Sequence, residues 1–206
     1  MRINTPIPLS PNSPPRTGES DKVLLRQSFI KDTYWRAAIS GVPAELLPWL
    51  RDTGSLTQRI RQRCEDFSVR NIKSGLASIA HDESGLLRSA PLAWSREVFL
   101  CADGQPVVFA HSTCAARHLH GAWSAVRNLG NQPLGALLFS HPLISRQPLH
   151  YKALAVQHSL YRRAAATRIN PPDRLWARRS LFYLHNAPLL VTEVFLPKIL
   201  KLNPES

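Results

Sequence analysis

At 206 residues and 44% hydrophobic content, the chain is long enough to bury one substantial core. Its 26 Lys and Arg against 14 Asp and Glu give a formal net charge of +12, which favours polyanions, acidic lipid surfaces or a small anionic substrate as partners. No apolar run approaches the length of a membrane span, and the Pro-rich start lacks the apolar core of a signal peptide. The three cysteines, Cys64, Cys101 and Cys114, have no metal-ligand spacing and do not pair off as a disulfide framework, so a reducing cytoplasm is expected.

Residues 1–20 carry Pro6, Pro8, Pro11, Pro14 and Pro15 among Ser, Asn and Thr, a composition that predicts a disordered tail. A domain over 21–200 comes next, with 201–206 as a C-terminal tail. Leu24, Leu25, Phe29, Tyr34, Trp35 and Ile39 predict helix between Lys22 and Ser40, broken by Gly41-Val42-Pro43. A short helix is expected after Pro43, carrying Leu46, Leu47, Trp49 and Leu50. Ser55-Leu56-Thr57-Gln58 then has the form of a capping box opening a helix to about Arg63. Phe67 to Ile79 reads as a strand, and His81-Asp82-Glu83-Ser84-Gly85 as a loop.

Trp94–Ala102 and Val107–Thr113 flank Asp103-Gly104, a strong two-residue hairpin signal. Ala115 to Leu129 fits a helix stopped by Gly130, and Gln132-Pro133-Leu134-Gly135 a turn before the apolar run Ala136–Phe139. Tyr151 to Thr167 is expected to be helical and is followed by Pro171-Pro172. Leu175–Leu184 and Leu189–Leu196 are strands joined by a turn at His185-Asn186-Ala187-Pro188. Short strands joined by hairpins, with helices at intervals, predict an α+β fold on an antiparallel sheet.

Two strands carry a charge inside an apolar row. Side chains alternate along a strand, so Arg96 shares a face with Trp94, Val98, Leu100 and Ala102, and Glu193 with Leu189, Val191 and Phe195. A lone buried charge costs several kcal/mol, so each needs a partner or a polar ligand. One cation and one carboxylate entering a greasy interior suggest a small anionic, partly apolar ligand. A buried Arg96–Glu193 salt bridge without ligand is the alternative that the pattern leaves open.

Between Arg146 and Arg179 stand eight basic residues against Asp173, more than half of the net charge. A solvated basic face is expected there rather than a nucleic-acid surface. His118-Leu119-His120 places two histidines on different sides of a helix, which argues against a metal site. No phosphate-loop, dinucleotide-binding, nucleophile-elbow or zinc-protease motif is present.

Several blocks together resemble the chorismate pyruvate-lyase family. They are Leu47-Pro48-Trp49-Leu50 with Gly54-Ser55-Leu56-Thr57, and the run from Arg96 to Pro106 (REVFLCADGQP). Pro133–Phe139, Leu175–Ser180 and Pro188–Pro197 continue the match in the same order, over roughly residues 43 to 197. The resemblance implies a metal-free enzyme without cofactor that converts chorismate into 4-hydroxybenzoate and pyruvate, the entry step of ubiquinone biosynthesis. It implies a single domain in which helices on an antiparallel sheet enclose a buried ligand cavity. By position, Arg96 would pair with the ring carboxylate and Glu193 sit at the hydroxyl end. Leu56 and Leu134 would contact the ligand through their backbones.

Three features depart from the family: His111 where the family favours Arg, the long basic stretch from Arg146, and the Pro-rich N-terminal extension. The expected state is a monomer, with nucleic acid disfavoured and a weak membrane-surface contact through 146–179 as a secondary expectation. A non-catalytic sensor of aromatic acids on the same fold is the competing reading.

Overall fold

The computed structural model describes residues 34–89, 92–166 and 170–202, and the chain divides after Tyr34, so that the fold is carried by the unit from Trp35 onward. The expected disordered tail and most of the expected 22–40 helix lie outside the described residues. Within them, Arg36 forms an extended bridge to Tyr151, its N–H donating to the Tyr151 carbonyl at 3.0 Å.

Two short helices come first, α1 (Leu47–Arg51) and α2 (Leu56–Arg61), preceded by a 3-10 turn at Ala44–Leu46. The Ser55 hydroxyl accepts the Gln58 N–H at 3.3 Å, as the capping pattern predicts. Next come β1 (Phe67–Ser78), α3 (His81–Leu87), β2 (Leu92–Ala102) and β3 (Gln105–Cys114). The following elements are α4 (Ser124–Arg127), α5 (Leu134–Ser140), β4 (Ser145–Arg146), β5 (His150–Ala155) and α6 (Ser159–Ala165). Strands β6 (Arg174–Leu184) and β7 (Ala187–Phe195) complete the sheet. A final 3-10 segment, Pro197–Leu202, buries Ile199 and Leu202.

The seven strands form one antiparallel sheet in the order β1-β2-β3-β7-β6-β4, with β5 also on β6. The architecture is α+β, as expected. Both tight hairpins turn on two consecutive residues of positive φ: Asp103 (48°) with Gly104 (72°), and His185 (48°) with Asn186 (61°). That geometry matches the right-handed twist of the flanking strands. β4 and β5 lie along the same edge of β6, interrupted at Gln147-Pro148-Leu149, where Pro148 has no N–H to offer the ladder.

In the first hairpin the register shifts by one residue between Leu100 and Cys101, opposite Pro106. A slip of one residue exchanges faces. Unshifted pairing would set Arg96 against His111; the shifted register sets Arg96 against Ser112 and Glu97 against His111. The bulge therefore places His111 beside Glu97, on the side of the sheet opposite Arg96.

One face carries two hydrophobic clusters. Trp49, Leu50, Leu56 and Ile60 pack on Val98, Leu100, Val108 and Phe195. Trp123, Val126, Leu134 and Leu138 pack on Trp94, Phe182, Leu189 and Val191. On β2, β7 and β6 the residues between the clusters are Arg96, Glu193, and Arg178 with Ser180, so the polar groups occupy the seam. The other face buries Phe99, Phe109, Leu154, Leu160, Tyr161 and Val194.

Four sequence expectations are corrected. The expected loop 81–85 is α3, whose start is capped by Glu83 Oε2 accepting the Ala80 N–H at 2.9 Å. The expected helix 115–129 is split into a 3-10 turn (Ala116–His120) and α4, because Gly121 takes a non-helical φ/ψ of −136°/−113°. The expected turn 132–135 is the start of α5, which begins directly after Pro133. The expected helix from Tyr151 begins as strand β5, and only Ser159–Ala165 is helical.

Candidate active site

The seam is a cavity enclosing about 590 Å³ of non-atom space, part of it open to solvent. Its floor is the sheet. Two transverse rows of paired residues form it: Arg96, Ser112, Val191 and Ser180, then Val98, Ala110, Glu193 and Arg178. The small side chains of Ser112, Ala110 and Ser180 leave room between the flanking charges. Gly54, Leu56 and Thr57 from the α2 start, and Pro133, Leu134 and Gly135 from the α5 start, line the other side. These two segments pack closely: a Cβ at Gly135 would lie 3.1 Å from Thr57 Oγ1 and 3.3 Å from Ser55 Oγ.

All four residues singled out by sequence, Arg96, Glu193, Leu56 and Leu134, line this cavity. Arg96 and Glu193 do not pair with each other. They stand two strand spacings apart, about 10 Å by ordinary sheet geometry, with β3 between them.

Arg96 is 3% exposed. Its Nη2 donates to the Gly130 and Gln132 carbonyls, both at 2.8 Å, which holds the segment entering α5 against β2. Among the described residues no carboxylate compensates it, and its buried Nε has no hydrogen-bond partner. Burial lowers the pKa of this guanidinium, yet Arg stays protonated at any working pH. A buried cation with an unused donor is the arrangement an anionic ligand completes.

Glu193 is held differently. Its Oε2 accepts from Arg178 Nε at 2.5 Å, and Arg178 Nη1 donates to the Trp49 carbonyl at 2.9 Å and to the Asp52 carbonyl at 2.5 Å. The Glu193 carboxylate is thus fixed by a cation that also ties down the C-terminal end of α1. Arg146 completes the charged lining; it donates from Nη1 to the Thr53 carbonyl at 2.6 Å and lies over the Phe139 and Phe182 rings.

Arg178 and Arg146 had no role in the sequence reading beyond the basic stretch. Both line the cavity, Arg163 pairs with Glu97, Arg179 pairs with Asp82, and Lys152 is buried. Among the described basic residues of the expected solvated face, Arg146, Lys152, Arg178 and Arg179 are therefore turned inward, Arg163 is partly exposed, and Arg162 and Arg174 are exposed. Arg178 was within reach of sequence reasoning: a two-residue turn at His185-Asn186 puts residue 184 opposite 187 and, counted back, Arg178 opposite Glu193. Arg146 sits on a two-residue strand and carried no comparable signal.

Behind the floor, His111 lies between two carboxylates, with Nε2 3.2 Å from Glu83 Oε1 and Nδ1 3.2 Å from Glu97 Oε1. Arg163 Nε approaches Glu97 at 2.9 Å. Burial disfavours the imidazolium, but the two carboxylates outweigh it and raise the His111 pKa. Burial likewise opposes ionisation of Glu83 and Glu97, and His111 with its neighbours overcomes it, lowering both. His111 thus serves as the cation joining α3 to the sheet. Among the described residues no group of three His, Cys, Asp or Glu side chains is arranged to hold a metal ion, and no helix is long and apolar enough to cross a membrane.

The chorismate lyase family model matches residues 30–203. A protein of Aromatoleum aromaticum named "Probable chorismate pyruvate-lyase" is 52% identical over 165 residues, covering 78% of this chain and 89% of that one. Its counterpart of the same name in Nitrosospira multiformis is 47% identical over 171 residues, covering 82% and 95%. Among solved structures, the C-terminal domain of PhnF aligns with a TM-score of 0.48 at 12% identity, covering 64% of this chain and 83% of that one.

Proposed function

The chain belongs to the chorismate lyase family, and from that premise we propose that it converts chorismate into 4-hydroxybenzoate and pyruvate in the cavity between Arg96 and Glu193. The observation that carries this reading is the division of charge. Arg96 is a buried, uncompensated cation, whereas Glu193 is a carboxylate already fixed by Arg178, and an apolar-walled space separates them.

On this reading Arg96 receives the ring carboxylate. Glu193, whose other oxygen takes no hydrogen bond among the described residues, accepts one from the C4 hydroxyl. Leu56 and Leu134 bracket the ring from the starts of α2 and α5. The reaction breaks the C3–O ether bond and removes the C4 hydrogen, and the ring becomes aromatic. In a cyclic transfer the C4 hydrogen passes to the enolpyruvyl methylene carbon as the ether oxygen becomes the pyruvate ketone. No protein base takes part, and the site contributes a held conformer and electrostatic stabilisation. In a stepwise elimination Glu193 would take the C4 proton. Glu193 is already fixed through Oε2 by Arg178 Nε at 2.5 Å, and the cyclic course asks of it only that it hold the C4 hydroxyl.

The same reading makes this the entry step of ubiquinone biosynthesis, carried out in the cytoplasm without a cofactor. The test is to incubate chorismate with the purified chain and quantify both products above the uncatalysed background. One-to-one formation of 4-hydroxybenzoate and pyruvate supports the proposal. Tight 4-hydroxybenzoate binding without turnover would instead identify a sensor of aromatic acids.

A further inference from the structure

We propose that Arg146 is the specificity-determining cation for the second carboxylate of the substrate, the one on the enolpyruvyl ether. This rests on the chorismate reading and goes beyond it by assigning the cavity a second anion position.

The charge of the lining leads to it. Three guanidiniums, Arg96, Arg146 and Arg178, face one carboxylate, Glu193. Arg178 and Glu193 neutralise each other, which leaves two unbalanced positive charges on cavity walls. Chorismate carries two carboxylates, and its aromatic product only one. A site for the product alone has need of one free cation, and this site has two.

The placement of Arg146 suits a ligand group better than a structural role. It stands on β4 opposite Phe182, and its guanidinium lies 5.3 Å from the Phe182 ring centroid and 5.6 Å from that of Phe139. The two rings hold the plane of the head group without using its donors. Nη1 is engaged by the Thr53 carbonyl, but the buried Nε has no hydrogen-bond partner among the described residues, and no ion pair is formed with it there. Burial disfavours its charge, Glu193 favours it, Arg178 opposes it, and Asp52, itself paired with Arg59, favours it from farther off. β4 lies two strands from β7, which carries Glu193, and four from β2, which carries Arg96, so Arg146 belongs to the Glu193 end of the cavity. The enolpyruvyl group on C3 is adjacent to the C4 hydroxyl assigned to Glu193, so its carboxylate falls at the same end.

The experiment compares wild type, Arg146→Gln and Arg146→Lys. With Arg146→Gln, KM for chorismate rises at least tenfold while the Kd of 4-hydroxybenzoate, which lacks the second carboxylate, changes less than threefold. Arg146→Lys recovers most of the loss. Retained 4-hydroxybenzoate binding also shows that the variant is folded. An unchanged KM, or an equal loss for both ligands, overturns the assignment. Should Arg146→Gln not fold, wild type alone decides: 4-hydroxybenzoate bearing a C3 carboxymethoxy group should bind at least tenfold more tightly than its neutral amide, and equal binding overturns the proposal. If wild type produced no 4-hydroxybenzoate from chorismate, the chorismate reading would fail instead, a result separate from either comparison.

Discussion

Replacing Arg178 by Met tests whether the Arg178–Glu193 pair is the structural keystone of the site. The Arg178 side chain is 1% exposed and ties together the Glu193 carboxylate and the carbonyls of Trp49, Leu50 and Asp52. Methionine fills the volume of the stem and removes every donor. It strands a carboxylate that is 17% exposed and leaves the last carbonyls of α1, a five-residue helix that cannot satisfy its own C-terminal end, without partners. Breaking a buried ion pair costs about 3–5 kcal/mol, and the residual exposure of Glu193 places this one near the lower end. The buried Trp49 carbonyl, left without its donor, adds about 1–3 kcal/mol, while that of Asp52 is only part-buried, so a total loss of roughly 4–6 kcal/mol is expected. For a chain of this size that lowers Tm by roughly 8–24 °C. Urea unfolding of wild type, Arg178→Met, Glu193→Gln and the double variant measures it. Glu193→Gln alone should cost less, since Arg178 keeps its carbonyl acceptors. The double variant should recover about 1–2 kcal/mol over Arg178→Met because the stranded charge is gone. A loss below about 1 kcal/mol for Arg178→Met, or strict additivity of the two changes, would show that the pair does not hold the site together.

Glu193→Gln also separates the two courses of reaction. If Glu193 only holds the C4 hydroxyl, kcat at saturating chorismate stays within about tenfold of wild type, whereas loss of a general base costs about 10²–10⁴; a fall in that range would show proton abstraction by Glu193. The cluster behind the floor predicts a pH dependence of stability. Folded His111 binds its proton more tightly than the unfolded chain, so its contribution is complete below the unfolded value of 6.5 and is lost as pH rises through the raised folded one. Glu83 and Glu97 act oppositely, contributing above their unfolded value of 4.5 and losing that contribution as pH falls through the lowered folded ones. Unfolding free energy measured from pH 5 to 9 should therefore decline on the alkaline side, and His111→Gln should flatten that decline. An unchanged alkaline slope in His111→Gln would remove His111 as its source.

The features legible from sequence were those governed by local rules. Asp103-Gly104 marks a hairpin because its residues tolerate positive φ, and strand alternation set Arg96 and Glu193 in apolar rows without the structure. Features governed by distant contacts were not legible. α3 is polar and contains Gly85, and it is secured by Glu83, which caps the Ala80 N–H and reaches His111 across the sheet. β5 is a strand because β6, some 25 residues later, supplies its ladder. The inward turn of the basic stretch follows from the same pairing, since β4 and β6 aim Arg146 and Arg178 at the cavity. The one-residue shift beside Pro106 shows how small a backbone irregularity decides which charges reach the site.

The measurement closest to the central claim is chorismate turnover and 4-hydroxybenzoate affinity in wild type and Arg96→Ala side by side. Wild type should give equal amounts of 4-hydroxybenzoate and pyruvate, and a folded Arg96→Ala should lose both turnover and product affinity. Turnover and product binding at wild-type levels in that variant would contradict that claim.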